Sequence, residues 1–161
     1  MATQELPGWL KHVALWGVLG TAVFLGVQWW MAEQRRPQVL VAGSSITLQR
    51  AADGHFHWPG TVNGQPVDFL VDTGATGTTL PAALAEQLGL RAEGRMQSNT
   101  AGGVVQGYVA RADVRLQGGV VADGLQVGVL PALQTPLLGM DVLHRLKMTQ
   151  QDGKLRLEAP R

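Results

Sequence analysis

Phe69-Leu70-Val71-Asp72-Thr73-Gly74-Ala75-Thr76 is a run of three apolar residues ending on an acid, a hydroxyl residue, a glycine and an alanine. The apolar part reads as a strand whose end carries Asp72. A carboxylate set there among apolar neighbours is expected to be buried, which raises its pKa unless a partner stabilises the charge. Gly74 lets the chain turn sharply, so that backbone amides can approach the carboxylate. The Thr73 hydroxyl can hydrogen-bond across the site and hold the loop rigid.

The surroundings of this run are short apolar stretches separated by turn signals. Phe56–Val62 and Val67–Val71 flank Asn63-Gly64, a hairpin signal because both residues tolerate positive φ. Ile46–Arg50 alternates apolar and polar residues, as a half-buried strand does. Val104–Leu116 and Val120–Leu130 are long β-branched stretches joined at Gly118-Gly119, and Leu155–Leu157 alternates after the turn signal Asp152-Gly153. Two stretches read as helices. Pro81–Leu88 starts on a proline suited to a first turn and stops at Gly89. Asp141–Lys147 has an acid at its start and Arg145 and Lys147 at its end, matching the helix dipole. With 21 glycines and eight prolines in 161 residues, many short strands and tight turns are favoured over a bundle. Residues 46–158 are expected to form one mostly β, mainly antiparallel domain with one or two short helices.

From Val13 to Ala32 there is no Lys, Arg, Asp or Glu. A helix of that length is about 30 Å long and can cross the hydrocarbon core. Trp9, Trp29 and Trp30 stand where interfacial anchors would. A buried core helix and a cleaved signal peptide are the other readings. The run is long for a signal peptide, and Gln28–Met31 lacks a small-x-small cleavage site. The expected order is a flank 1–12, a single transmembrane helix 13–32, a connector 33–45, the β domain 46–158 and a tail 159–161. Lys11 before the span and Arg35 and Arg36 after it tilt the positive-inside rule slightly towards a cytoplasmic C-terminal domain.

Composition narrows the function. Thirteen basic and twelve acidic residues leave a formal charge of +1, which argues against a partner bound by phosphate neutralisation, so no nucleic acid is expected. The absence of cysteine excludes a disulfide framework, a thiolate nucleophile and a cysteine-ligated metal. His55 and His57 alternate on a strand without a nearby third ligand and read as surface or packing residues. His144 reads as exposed. Ser44, Ser45 and Ser98 lack a nucleophile-elbow frame, and there is no Walker-type or dinucleotide loop. No metal or cofactor is expected.

The run around Asp72 resembles the active-site loop of retropepsin-like (retroviral-type, clan AA) aspartic proteases: apolar-apolar-Asp-Thr/Ser-Gly-Ala. Further along the chain, Gly102-Gly103, followed by Val104–Val109, resembles the flap hairpin. Leu137-Leu138-Gly139, further still, resembles the second apolar-apolar-Gly element, which passes beside the catalytic loop into the C-terminal helix. Gly54-His55-Phe56 and the order of the pieces are similar to the membrane-anchored bacterial members. The resemblance covers residues 46–158 and implies a single-domain closed β fold. It implies that Asp72 is the catalytic carboxylate, that Thr73 reaches across to a partner loop, and that Gly74 and Ala75 shape the floor. It also implies that Thr100, Ala101, Gly102, Gly103 and Val104 bind substrate backbone. The helix at 81–88 is a departure from the smallest viral enzymes.

Peptide hydrolysis by this chemistry needs two adjacent carboxylates that share one proton, and the chain has one Asp-Thr-Gly. A homodimer that sets two copies of Asp72 face to face is the simplest solution. Asp141 lacks the Thr/Ser-Gly frame and reads as a helix N-cap. Asp68 could support Asp72 from the same strand face, but its place just after the hairpin favours a solvated edge. Asp113 and Asp123 read as strand-surface charges. The expected activity is a membrane-anchored aspartic endopeptidase acting on membrane-proximal peptides or proteins, its own connector at 36–45 among the candidate targets. A non-catalytic dimerisation or peptide-binding module is the alternative. The resemblance implies an inner-membrane protein with a periplasmic domain, against the slight charge bias towards the cytoplasmic face.

Overall fold

The structure, a computed structural model, describes residues 8–34, 38–43, 45–100 and 103–158. It comprises two compact units, Met1–Arg36 and Pro37–Arg161. The first contains helix α1, Gly8–Gln34. Its 20-residue segment His12–Met31 has a mean hydropathy of 1.5 and no buried residues, and is long and apolar enough to cross a membrane. Trp16, Phe24 and Trp29 are all bare. In water, so much uncovered apolar surface on a helix would be unfavourable.

The second unit is built of strands. In chain order they are β1 (Val39–Ala42), β2 (Ser45–Gln49), β3 (His57–Val62), β4 (Gln65–Val71), β5 (Thr79–Pro81), β6 (Gly94–Thr100), β7 (Gly103–Leu116), β8 (Val120–Leu130), β9 (Leu137–Leu138), β10 (Lys147–Gln151) and β11 (Lys154–Glu158). Helices α2 (Ala82–Gln87) and α3 (Met140–Leu143) interrupt them. One sheet has the order β1-β2-β11-β10. The other runs β3-β4-β9-β5-β8-β7-β6 and curls until β3 also pairs with β7. That closure leaves β6 outside the ring. Most pairs are antiparallel, but β4–β9 and β5–β8 are parallel.

Three turns read from sequence appear where the residue types demanded them. Asn63 and Gly64 have φ of 49° and 80° and close β3 onto β4 with Val62 opposite Gln65. Asp152 and Gly153, at 49° and 71°, close β10 onto β11. Gly118-Gly119 joins β7 to β8. Asn63 does more than turn the chain, since its Oδ1 accepts the Asp113 N–H at 2.9 Å. Asn63→Ala is expected to destabilise the domain by about 1–2 kcal/mol, because alanine has a Cβ penalty at positive φ and no acceptor to offer. Urea unfolding of the full chain in detergent measures this.

Period-two alternation places the core. Trp58 and Val62 of β3, Val67 and Phe69 of β4, Ala110 to Leu116 of β7 on alternate positions, and Leu48 and Leu157 of the smaller sheet are buried together. Trp58 is fully covered, and its Nε1–H donates to the Gln117 carbonyl at 2.8 Å, so its burial leaves no polar atom unpaired. Helix α2 follows Pro81 and is capped at Leu88, after which Gly89 turns the chain with a φ of 66° and donates its N–H to Glu86 O.

The structure departs from two expectations and adds a strand. The helix read over Asp141–Lys147 is only Met140–Leu143, because Lys147 already pairs with Glu158 at the start of β10. Sheet pairing overrides the local helical pattern. The stretch read as a connector up to residue 45 contains β1, which pairs with β2 from Val39↔Leu48 to Ala42↔Ser45. Gly94–Thr100, unassigned from sequence, is strand β6 and pairs with β7 along its whole length. Residues 1–7, 35–37, 44 and 159–161 of the expected flank, connector and tail lie outside the described residues.

Candidate active site

Strand β4 delivers Asp72. Val67 and Phe69 point into the core, and the strand is held at its end by β9, with Leu70 opposite Leu137 and Val71 opposite Leu138. The Asp72 N–H then donates to Leu138 O at 3.0 Å. Inside the loop, the Gly74 N–H donates to Asp72 Oδ1 at 2.8 Å, and the Ala75 N–H donates to Asp72 O at 3.2 Å. A carboxylate oxygen is therefore fixed by backbone donation, as the glycine at 74 allows. The burial expected for Asp72 is incomplete: within one chain it is half-buried. The Thr73 side chain is exposed and has no hydrogen-bond partner among the described residues.

Leu137-Leu138-Gly139 lies directly beside this loop. Gly139 packs so close that a Cβ on it would sit 2.4 Å from Gly77 C and 2.6 Å from Gly77 O. Past it, the Met140 N–H donates to Ala75 O at 2.9 Å and the Asp141 N–H to Thr76 O at 3.2 Å. The two segments thus lace together through four backbone bonds, counting Asp72 N–H to Leu138 O and Leu70 N–H to Pro136 O.

Asp141 is not the N-cap that its position suggested. Gly139 occupies the cap with no side-chain bond. The Asp141 carboxylate accepts the Thr78 N–H and the Thr78 hydroxyl, both at 2.9 Å, as well as the Val142 N–H of its own helix at 2.9 Å, while Thr78 Oγ1 accepts the Gly139 N–H at 3.3 Å. Thr78 is buried, so Asp141→Ala strands two donors. The expected loss is about 1–3 kcal/mol, and Asp141→Asn, which keeps one acceptor oxygen, should lose less. Chemical unfolding midpoints of the two variants decide this. An acid in the first turn of a helix carries no local signal for a partner on a strand in the first half of the domain.

The loop opens onto a cleft of about 800 Å³. Ala75, Thr76 and Leu137 line one side, and Met96–Asn99 of β6 line another. Among the described residues that line it, Asp72 is the only acid. The β6–β7 hairpin ends at the pair Thr100↔Gly103. Ala101 and Gly102, read as flap residues, lie outside the described residues. Val104, next to that pair, is 60% exposed and stands apart from the cleft lining. Lining residues that sequence reasoning missed include Met96–Asn99 of β6, Thr78 and Thr79 at β5, and Gln126, Gly128 and Leu130 of β8; those of β6 belong to a strand not read from the sequence. Their polar composition hid the strand, although an apolar strand entered through Gly102-Gly103 needs a partner before it.

His55 and His144 are exposed. Asp123 meets Arg115 at 3.2 Å on the surface. Asp113 accepts the Gly124 N–H at 2.7 Å, where β7 and β8 shift register. Asp68 is exposed, as expected, but it has a partner: its Oδ2 is 3.0 Å from His57 Nδ1, and His57 Nε2 is 2.8 Å from Asp53 Oδ2. Among the described residues, no three His, Asp or Glu side chains converge as metal ligands.

Comparison with known proteins agrees with this geometry. The chain is 34% identical over 119 residues to an uncharacterized protein in the cobV 5′ region of a Sinorhizobium species, covering 70% of this chain; the match spans about half, 51%, of that relative's length. The fold is similar to the crystal structure of a retropepsin-like aspartic protease from Rickettsia conorii, with a TM-score of 0.57 and 26% identity, covering 77% of this chain and 94% of that one. The family model described as "gag-polyprotein putative aspartyl protease" matches residues 58–145, the span from β3 to just past α3. With more than half of its length matched, and with β4, its loop and β9 laced as described, this chain belongs to that retropepsin-like aspartic protease family.

Proposed function

We propose that the protein is a membrane-anchored aspartic endopeptidase whose catalytic pair consists of Asp72 from each of two identical chains. The observation that carries this reading is a single acid at the floor of a peptide-sized cleft, held by backbone donation and left half-buried by its own chain. A second copy would supply both the missing cover and the second carboxylate. One carboxylate, ionised, takes a proton from water as the water attacks the scissile carbonyl. The other, protonated, donates to the carbonyl oxygen. The two titrate as a pair, because adjacent like charges cannot both ionise. Gly74 and Ala75 would hold the two loops in shape, and Thr73, free to bond outside its own chain, would reach the opposite one.

An extended peptide fits between this floor and β6, with backbone bonds to the strand and the hairpin end. Helix α1 would confine the enzyme to substrates near a bilayer and raise the local concentration for pairing. We place the domain in the periplasm, which fusions of topology reporters after residue 161 test directly. The dimer is tested by dilution. Specific activity of the full chain in detergent, assayed on a peptide library, should fall as the chain is diluted below its dimer dissociation constant. Activity per chain that stays constant while sedimentation reports monomers contradicts the reading.

A further inference from the structure

Asp53, His57 and Asp68 form a side-chain cluster apart from the cleft lining. His57 opens β3, its side chain is 17% exposed, and each ring nitrogen faces a different carboxylate: Nε2 at 2.8 Å from Asp53 Oδ2, Nδ1 at 3.0 Å from Asp68 Oδ2. A neutral imidazole has one N–H and one lone pair, so it can donate to only one of the two acids and must set its lone pair against the other. Only the imidazolium donates to both. The arrangement is therefore built for a charged ring.

Its location gives it a task. Asp53 sits in the turn before β3, and Asp68 lies on β4 shortly before Asp72. His57 is opposite Leu70, at the last paired position of β3 with β4. Beyond it, the Val71 N–H to Phe56 O bond at 2.9 Å is the last link on the β3 side of the strand before the Asp72 loop. We infer that His57 is a positioning residue: as an imidazolium it staples the 51–55 turn to the strand that ends in Asp72, and on losing its proton it releases one of the two acids and loosens that end of the strand. This rests on the proposed role of Asp72.

The titration directions agree. Burial by itself would lower the His57 pKa, but Asp53 and Asp68 outweigh it and hold the imidazole above its ordinary value of 6.5. Asp53 is held below its usual range, first by the His55 N–H at 2.9 Å and then by His57. Asp68 is pushed up by burial, against the pull of His57. The other charged or titratable groups nearby are His55 of the same turn and Arg50 at the end of β2, which lies over the Phe56 ring at 5.4 Å. On β7, Arg115 stands opposite Thr61 at the far end of β3. A raised imidazole contributes stability that is complete below about pH 6.5 and is lost as pH rises through its folded value. The lowered Asp53 contributes stability that is lost on acidification through its own folded value, whereas the raised Asp68 acts in the opposite sense, its contribution being lost as pH rises through its folded value. The window of greatest support is thus mildly acidic, between the carboxylate range and neutrality.

The test is thermal unfolding of the full chain in detergent from pH 5.5 to 8.5, with nitrogen NMR of the His57 ring. Wild type should lose about 3–5 °C on the alkaline side, His57→Gln should show no such step, and both ring nitrogens should carry protons at pH 6.5. Asp53→Asn, which leaves the Asp68 contact, should keep a smaller step and serves if His57→Gln does not fold. In peptide cleavage, kcat falls with rising pH in both chains as the Asp72 pair loses its shared proton, and wild type should show a further fall, with KM unchanged, that His57→Gln lacks. A single neutral tautomer at pH 6.5, or an unfolding step equal in wild type and His57→Gln, overturns the staple. Unfolding and NMR repeated on Asp72→Asn read the staple without catalysis, so a chain that never cleaves peptide refutes the protease reading and leaves this inference to those two measurements.

Discussion

Asp72→Asn should remove peptide cleavage, by about 10²–10⁴-fold if the residual route uses the other groups of the site, while leaving the fold intact. Asparagine keeps an oxygen that accepts the Gly74 N–H now donated at 2.8 Å to Asp72 Oδ1, so the loop has no reason to rearrange. What it lacks is basicity: an amide cannot take a proton from the attacking water, nor carry one to the carbonyl oxygen. The decisive form of the experiment mixes chains. If each site needs two copies of Asp72, an equal mixture of wild type and variant leaves only about a quarter of randomly formed dimers with both acids. An excess of the inactive chain should then quench the wild type progressively. Cleavage by wild type that is indifferent to a large excess of Asp72→Asn, under conditions where the chains exchange, would falsify the shared site.

The second large effect is structural. In Gly139→Ala the new methyl would lie 2.4 Å from Gly77 C, 2.6 Å from its O and 2.8 Å from its Cα. These are backbone atoms of the loop that starts at Asp72, and no flexible side chain can yield in their place. The backbone at Gly139 is extended, with φ −92° and ψ −178°, which alanine adopts freely, so the whole cost is steric. Forcing the two segments apart should cost about 3 kcal/mol, the upper part of the range for overpacked sites, and lower the melting temperature by roughly 10 °C. It should also displace the bonds from Asp72 N–H to Leu138 O and from Met140 N–H to Ala75 O, so activity falls with stability. Gly153→Ala provides the contrast. It sits at φ 71° with nothing within 4 Å of the added methyl, and its cost of about 1–2 kcal/mol is conformational. Equal melting temperatures for Gly139→Ala and wild type would show that the close approach at Gly77 does not constrain the site.

The order of elements along the chain is legible in the sequence because each signal is local. An apolar run at period two, an Asn-Gly or Asp-Gly pair and a strand ending on Asp-Thr-Gly-Ala act on a few neighbouring residues. Backbone sterics and burial therefore made the β domain, its hairpins at 63–64 and 152–153, and the place of Asp72 at a strand end legible. The apolar stretch of α1 was legible for the same reason, since length and hydropathy are additive along a sequence.

Other features depend on which distant segments meet, and they were decided by the tertiary structure. Gly94–Thr100 has few strand-forming residues, yet it is a strand because β7 offers it a full ladder of partners. Lys147 leaves a helical pattern because Glu158 stands opposite it. Asp141 has the local character of a cap, but a buried threonine on the far side of the loop takes its carboxylate. Asp68 and His57 lie on different strands and each has the local character of a surface group, and the β3–β4 register makes them one half of a two-acid bridge. Charged and polar side chains choose partners by proximity in space, which local residue patterns do not encode, and so the hydrophobic pattern of this protein was written in its sequence while its polar contacts emerged only from the fold.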